Sequence, residues 1–404
     1  MINIYQLKNQ LRLVLLPLPE LASVSVVGLV KTGSRYDGTE TEGLAHFYEH
    51  LVFRGTKKYP TKKELALTVD RMGAEYNGAT AQEYTFYYVK SATIYFQQSL
   101  EIVSQLLTEP LLAEESLAVE RKIILEELHM YEDVPQYKAE MEIMKLLYPR
   151  HPLGKTGVGS PRTIEKIKRE DFLNFQQSFY TADKTVLVIA GNFLKNEAKK
   201  MVENYFAGMK AGEPKEFAPV LPIKKVANKM VKRKTDQAHL SLGGRAFSYF
   251  SRQRFPQTLL NIILGQGMSS RLFQRIREED GLAYSVKSEV EALADTGVFL
   301  ISAGLNREKV EEGLGKIKKE LKDINNIRAA ELAKAKNYFQ GQLALSLEDS
   351  LAQALFYGKQ ILLEEKIVEP EGVVKKIKKV KLAEVIEAGE KIFTPNNVGE
   401  VIVG

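Results

Sequence analysis

His46-Phe47-Tyr48-Glu49-His50 is the stretch on which the reading of this chain turns. At about 100° per residue, His46, Glu49 and His50 fall within one face of a helix. Two imidazoles one turn apart can hold a divalent ion, and a carboxylate beside them can deprotonate the water that the ion carries. The order H-x-x-E-H is the reverse of the commoner H-E-x-x-H. The competing reading is a pair of histidines at a helix end or on a solvated face; the chain has only five histidines in which such a pattern can arise.

Two histidines do not finish a site, because catalytic zinc usually takes three protein ligands and leaves a fourth position for water. The third ligand is sought in Glu120-Arg121-Lys122-Ile123-Ile124-Leu125-Glu126-Glu127. Read as a helix, Glu120 and Glu127 share a face within about 20°, with Ile123 and Ile124 on that face too. Carboxylates on an apolar stripe are costly unless paired or bound to a cation. A metal beside Glu127, with Glu120 behind it, removes the conflict. From pattern alone, an ordinary solvated acidic run of Glu120, Glu126 and Glu127 stays open.

The motif, continued by Leu51-Val52-Phe53-Arg54-Gly55-Thr56 and then by Glu120 to Glu127, resembles the pitrilysin-type (inverted-zincin) metallopeptidases. The resemblance is nearest to the branch holding the mitochondrial processing peptidase β-subunit and its bacterial relatives. It implies one zinc per chain, with His46, His50 and Glu127 as ligands, Glu49 as general base and Glu120 as a supporting carboxylate. The family spacing prefers Glu127 to Glu126 and sends His129 to the exposed side of the helix.

Other segments carry the same resemblance. Gly73 to Thr80, followed by Thr85-Phe86-Tyr87-Tyr88-Val89, is similar to the family's substrate-side strand, where Asn77 and Gly78 would meet a peptide; Gly78 stands where alanine is usual. His151-Pro152-Leu153-Gly154, Tyr180-Thr181-Ala182-Asp183 and Ala190-Gly191-Asn192 also match. Gly265 to Phe273 and Arg277 to Tyr284 resemble the segment with the family's Arg/Tyr pair, which would help an oxyanion. Taken without the resemblance, Arg277 and Tyr284 suit packing or a surface salt bridge. Residues 73–80 equally suit a core strand with Tyr76 and Ala79 facing inward.

At 404 residues the chain is too long for one compact core, and its 44% hydrophobic and 27% charged content is that of a globular protein. No stretch reaches the ~18–20 apolar residues of a membrane span, and Met1-Ile2-Asn3-Ile4 does not open a signal peptide, so a cytoplasmic location is expected. The absence of cysteine excludes thiolate metal sites and disulfides, leaving His and carboxylate as ligands. A net charge of +6 is mild for this length. The basic run Lys375 to Lys381 has Val373, Val374, Ile377 and Val380 at helical spacing, so it reads as a solvated lysine face, and no nucleic-acid partner is expected.

Residues 3–7, 11–17 and 22–31 read as antiparallel strands, after which Thr41-Glu42 starts the motif helix. Thr61 to Glu64 is a capping box opening a helix that ends at Gly73. Strands at 74–80 and 83–90 follow, then helices near 92–108, 114–132 and 136–147, a strand at 185–190 and a helix at 194–207. Gly208, Gly212, Pro214, Pro219 and Pro222 mark a linker over 208–229. Beyond it the pattern gives a strand at 230–246, a helix at 256–278, strands across 282–303, helices at 307–323, 328–348 and 351–363, and a last strand at 398–403.

The expectation is an α+β protein of two related domains, 1–207 and 230–404, each a mostly antiparallel sheet covered by helices. The expected activity is zinc-dependent hydrolysis of unfolded peptides by a homodimer. A non-catalytic structural or peptide-binding subunit of the same fold is the alternative.

Overall fold

The computed structural model describes every residue except Met1 and Pro214, so that linker proline lies outside the described residues. Eleven strands are described: β1 (Asn3–Gln6), β2 (Arg12–Pro17), β3 (Ser23–Val30), β4 (Glu75–Thr80), β5 (Thr85–Ala92), β6 (Thr185–Gly191), β7 (Lys229–Val231), β8 (Gln237–Ala246), β9 (Ala283–Ala292), β10 (Gly297–Asn306) and β11 (Val398–Val403). The α-helices are α1 (Leu44–Val52), α2 (Lys62–Met72), α3 (Phe96–Thr108), α4 (Glu114–Asp133), α5 (Pro135–Leu147), α6 (Pro161–Lys166), α7 (Arg169–Phe179), α8 (Lys195–Tyr205), α9 (Arg254–Gly265), α10 (Val310–Lys322), α11 (Ala329–Ser346), α12 (Ser350–Lys359), α13 (Pro370–Lys379) and α14 (Leu382–Ile392). Among the described residues no helix is long and apolar enough to cross a membrane.

The chain forms two compact units, and neither is one continuous segment. The first comprises Met1–Leu128, Thr156–Ala218 and Leu345–Ile367; the second comprises His129–Lys155, Pro219–Ala344 and Val368–Gly404.

In the first unit the strands run β1-β2-β6-β3-β5-β4. β1 and β2 are antiparallel neighbours, but β2 and β3 are not: β6 lies between them, parallel to β2 and antiparallel to β3. The reason is burial. All seven residues of β6 are buried, which requires a central slot covered on both faces. One face carries α3, whose Leu107 and Val103 reach Gly28. The other carries α12, where Ala354 and Tyr357 join Val14, Val27, Leu29, Val186 and Val188 in one core. Gly358 brings α12 close, since a Cβ there would lie 2.6 Å from Leu29 and 3.0 Å from Val188.

In the second unit the order is β7-β11-β8-β10-β9. β7 and β11 are parallel and the other pairs are antiparallel, so β7, β11, β8, β10 and β9 repeat the pattern of β2, β6, β3, β5 and β4. The helices that cover the sheets are exchanged in sequence. α5 precedes the linker but packs on β8 and β11, and α12 follows it but packs on β3 and β6. A contiguous reading of the sequence does not contain this exchange.

Element limits shift where a local signal wins. The motif helix begins at Leu44, because Gly43 (φ +89) turns the chain and Asp37 takes the first free amides. The expected helix over 256–278 is α9 and then a separate π-helical turn, Phe273–Glu279. α13 ends at Lys379 with Ile377 buried, consistent with lysines on a solvated face.

Candidate metal centre

α1 is held by its apolar side. Phe47 meets Phe172 edge-on at 4.9 Å, and Tyr48 lies 5.4 Å from Phe175 and 4.4 Å from Tyr180. The partners lie on and just after α7, whose Phe172, Phe175 and Phe179 at helical spacing were a legible signal that sequence reasoning did not use. The Asp37 carboxylate receives the amides of Gly43 at 2.8 Å and Ala45 at 3.0 Å, which caps the helix and suits its positive end.

With Phe47, Tyr48 and Leu51 buried, His46, Glu49 and His50 occupy the remaining face. Their ligand atoms all lie within 4.8 Å of one another. α4 brings Glu127 opposite: one carboxylate oxygen is 3.7 Å from His46 Nε2 and the other 3.7 Å from His50 Nε2. Both gaps exceed a hydrogen bond. Two nitrogens and two oxygens thus face a common space without bonding each other, an arrangement that fits a divalent cation.

The second nitrogens settle differently. His50 Nδ1 lies 3.4 Å from Glu120 Oε2, while Glu120 Oε1 accepts from Arg54 Nε. A proton on Nδ1 directed at Glu120 leaves Nε2 free as a donor to metal. Arg54, two residues past the end of α1, is a partner of Glu120 that the sequence reading did not assign. His46 Nδ1 is buried with no hydrogen-bond partner.

The stripe on α4 differs from the expectation in one residue. Leu117, Glu120, Ile124 and Leu128 are buried, but Ile123 is 43% exposed. Ile123 lies about 60° beyond Glu120, past the edge of the stripe, whereas Glu127 stays on its border. Glu126 and His129 are exposed.

The protein groups alone set the charges of this cluster. Burial, with His50 adding to it, lowers His46 to about 3, so its imidazole is neutral as a ligand must be. Burial also pushes His50 down, but the Glu120 hydrogen bond and the charges of Glu49, Glu120 and Glu127 outweigh it and raise it. Burial raises Glu49 to about 7, opposed by His50 and assisted by Glu127 and Glu120. Glu120 feels burial upward, but hydrogen bonds from His50 and Arg54 hold it below the usual carboxylate range.

Glu49 is only 7% exposed. Beside it the buried hydroxyls of Tyr87 and Tyr180 share a hydrogen bond of 2.7 Å. Its Oε1 would sit 2.8 Å from a Cβ built on Gly78, so strand β4 passes directly against this carboxylate.

β4 is an edge strand. Ala81 N–H donates to Tyr84 O at 2.8 Å, which fixes the hydrogen-bonding phase of the β4–β5 hairpin. Counting back through the register, Gly78 opposite Tyr87 is a non-hydrogen-bonded pair, so the backbone groups of Tyr76, Gly78 and Thr80 point to the open edge. Tyr76 is half-buried against Phe53, whereas Ala79 is exposed and does not face inward. Asn77 faces away from Gly78's side of the sheet and is exposed, and its Oδ1 accepts the Gly78 N–H at 2.9 Å.

In the second unit Arg277 lies within the π-helical turn Phe273–Glu279, and its guanidinium lies 4.7 Å from the Phe273 ring and 5.8 Å from the Tyr284 ring. The β9–β10 register slips between Gly304 and Leu305, which pair with Ser285 and Ala283, so Tyr284 is left unpaired as a bulge and is 75% exposed. The turn and the bulge bring the expected Arg/Tyr pair together on one surface.

Comparison with known proteins gives one consistent family. Residues 14–160 match insulinase (peptidase family M16), and residues 166–339 match the peptidase M16 inactive domain. An uncharacterized zinc protease of Rickettsia bellii is 33% identical over 99% of this chain and 97% of its own length. The uncharacterized zinc protease YmxG of Bacillus subtilis is 31% identical over 98% of this chain and 96% of its own length. In fold, the crystal structure of a protease from Helicobacter pylori superposes with a TM-score of 0.92 at 23% identity, covering 100% of this chain and 99% of that one.

Proposed function

The chain belongs to peptidase family M16, and on that premise we propose that it is a zinc-dependent endopeptidase acting on unfolded peptides, with one metal held by His46, His50 and Glu127. The observation that carries this reading is the pair of 3.7 Å gaps between the two Nε2 atoms and the two Glu127 oxygens, backed by Glu120 on His50 Nδ1.

Bound zinc supplies a water of lowered pKa and a Lewis acid for the scissile carbonyl. Glu49 takes the proton of the attacking water and delivers it to the leaving nitrogen. Glu120, paired to Arg54, fixes the His50 ring and its tautomer. The peptide joins the open edge of β4, where it pairs with main-chain groups and so is read by shape more than by sequence. Gly78, without a side chain, lets that strand run against Glu49. Arg277 and Tyr284 donate to the oxyanion.

Zinc content, with cleavage of a quenched unfolded peptide before and after chelation, tests the whole reading. A metal-free protein, or cleavage that survives chelation, would overturn it. The second reading, a non-catalytic subunit of the same fold, draws support from the match of residues 166–339 to a domain described as inactive. The presence of His46, Glu49, His50 and Glu127 together favours the enzyme.

The reading includes a homodimer in which Arg277 and Tyr284 serve the metal centre of the other chain. Glu49→Gln and Tyr284→Phe chains, each nearly inactive alone, should recover roughly a quarter of wild-type activity once their subunits exchange, since half the dimers then hold one intact site. No recovery despite proven exchange would refute the shared site.

A further inference from the structure

β4 and β9 hold the same place in the two sheets, each at an open end of its strand order. In β9 the phase is set by Leu293 N–H donating to Thr296 O at 2.8 Å, which leaves Ser288, opposite Ile301, with its backbone groups pointing outward. That position is sealed. Gln266 Nε2 donates to Ser288 O at 2.5 Å, Ser288 Oγ donates to Asn261 Oδ1 at 2.7 Å, and a Cβ on Gly265 would lie 2.3 Å from Ser288 N. The end of α9 closes the edge.

In β4 the outward donor of Gly78 is met by Oδ1 of Asn77, an exposed side chain of the same strand. We propose that Asn77 is a displaceable latch on the edge. Its amide oxygen holds the Gly78 N–H while no peptide is present, and an incoming peptide carbonyl replaces it. This rests on the strand-addition reading above.

Three features point that way. An edge donor left bare is a template for unwanted pairing with another chain. A seal like that of Gln266 would also exclude the peptide, whereas an exposed side chain one residue away can rotate off. The latched donor is also the one whose Cα lies against Glu49, so the peptide carbonyl that displaces Asn77 sets which bond reaches the base. One neutral hydrogen bond replaces another, so the latch tunes affinity and registration without blocking entry. Its effect should be about two- to tenfold, the range of one such bond.

The test uses zinc-loaded Glu49→Gln protein, which should hold peptide without cleaving it. With ¹⁵N-glycine labelling, the Gly78 amide should exchange faster in Asn77→Ala than with Asn77 present, in the absence of peptide. The Kd of an unfolded peptide should fall two- to tenfold in Asn77→Ala. It should rise in Asn77→Asp, whose charged oxygen grips the same N–H more strongly. Unchanged Gly78 exchange, or weaker binding by Asn77→Ala, would overturn the latch. The strand-addition reading is checked separately: peptide should protect the amides of Tyr76, Gly78 and Thr80. Protection of none of the three would sink that reading and the displacement step, while the peptide-free exchange would still report the Asn77 contact.

Discussion

α1 and α9 lie at the same point of the repeated topology, between β3 and β4 in one unit and between β8 and β9 in the other, yet they treat their polar residues in opposite ways. α9 is buried along nearly its whole length, from Pro256 to Gly265 except Thr258. Its Asn261 bonds to Ser288 of the edge strand, and the contact is finished. α1 buries one side on α7 and turns His46, Glu49 and His50 toward two carboxylates of α4. Its Glu49 meets a glycine on the edge strand, with no side chain to answer it. The same scaffold therefore gives a closed structural contact in one unit and an open chemical face in the other. In one unit Glu49 lies against Gly78, and in the other Asn261 is bonded to Ser288.

The largest expected effect comes from the base. Glu49→Gln should cut peptide hydrolysis by about 10²–10⁴-fold while metal content and melting temperature stay near wild type. Retained activity would show that Glu49 is not the base. Removing a ligand should act on the metal itself: Glu127→Gln should lose zinc by elemental analysis and Glu126→Gln should keep it, and the reverse result would move the third ligand. Glu120→Gln should retain a weaker site, with zinc affinity down about 10–100-fold by competition with a chelator.

Two glycines sharpen the contrast between the edges. Gly265→Ala drives a Cβ into backbone and should cost about 1–3 kcal/mol in chemical denaturation. Gly78→Ala meets the movable end of Glu49, and alanine is usual at this place in the resembling family, so stability and zinc should hold and the change should appear as a few-fold shift in KM with kcat little altered. Equal loss of stability in both variants would erase the distinction drawn here.

The smallest effect is electrostatic and confined to the second unit. The Arg271 hydrogen bonds, 2.6 and 2.9 Å, hold Glu331 down at about 2 against the opposing push of burial. Its unfolded value is near 4.3. The unfolded chain therefore binds the proton more readily, so this pair stabilises the fold above about pH 4.3 and is lost as pH falls toward 2. Glu331→Gln should flatten that part of the acid-stability profile. An unaltered profile would show that the pair contributes nothing measurable.

Much of the fold could be read from local periodicity. The strands and most helices lie near their expected spans because burial repeats every two or every 3.6 residues. The candidate centre was legible in part: His46, Glu49 and His50 need only one helical turn, whereas pattern alone left Glu120, Glu126 and Glu127 open as a solvated acidic run and the preference for Glu127 came from the resemblance. Ile123 was misplaced because two adjacent isoleucines differ by about 100° and only one can lie on the stripe. α6 and α7 were not placed, although Phe172, Phe175 and Phe179 mark the face that grips α1.

By itself the sequence determined which residues share a face and which residue types can hold a metal, since both follow from spacing along a single element. Tertiary structure decided what no local pattern holds. It placed β6 between β2 and β3, exchanged α5 and α12 between the sheets, and paired Glu120 with Arg54 as well as His50. It also set which backbone groups of β4 face outward, through the bond from Ala81 to Tyr84, and it bulged Tyr284 beside Arg277. Each depends on registration between distant segments. A shift of one residue reverses every side chain and every outward amide, while the composition of the strand stays the same.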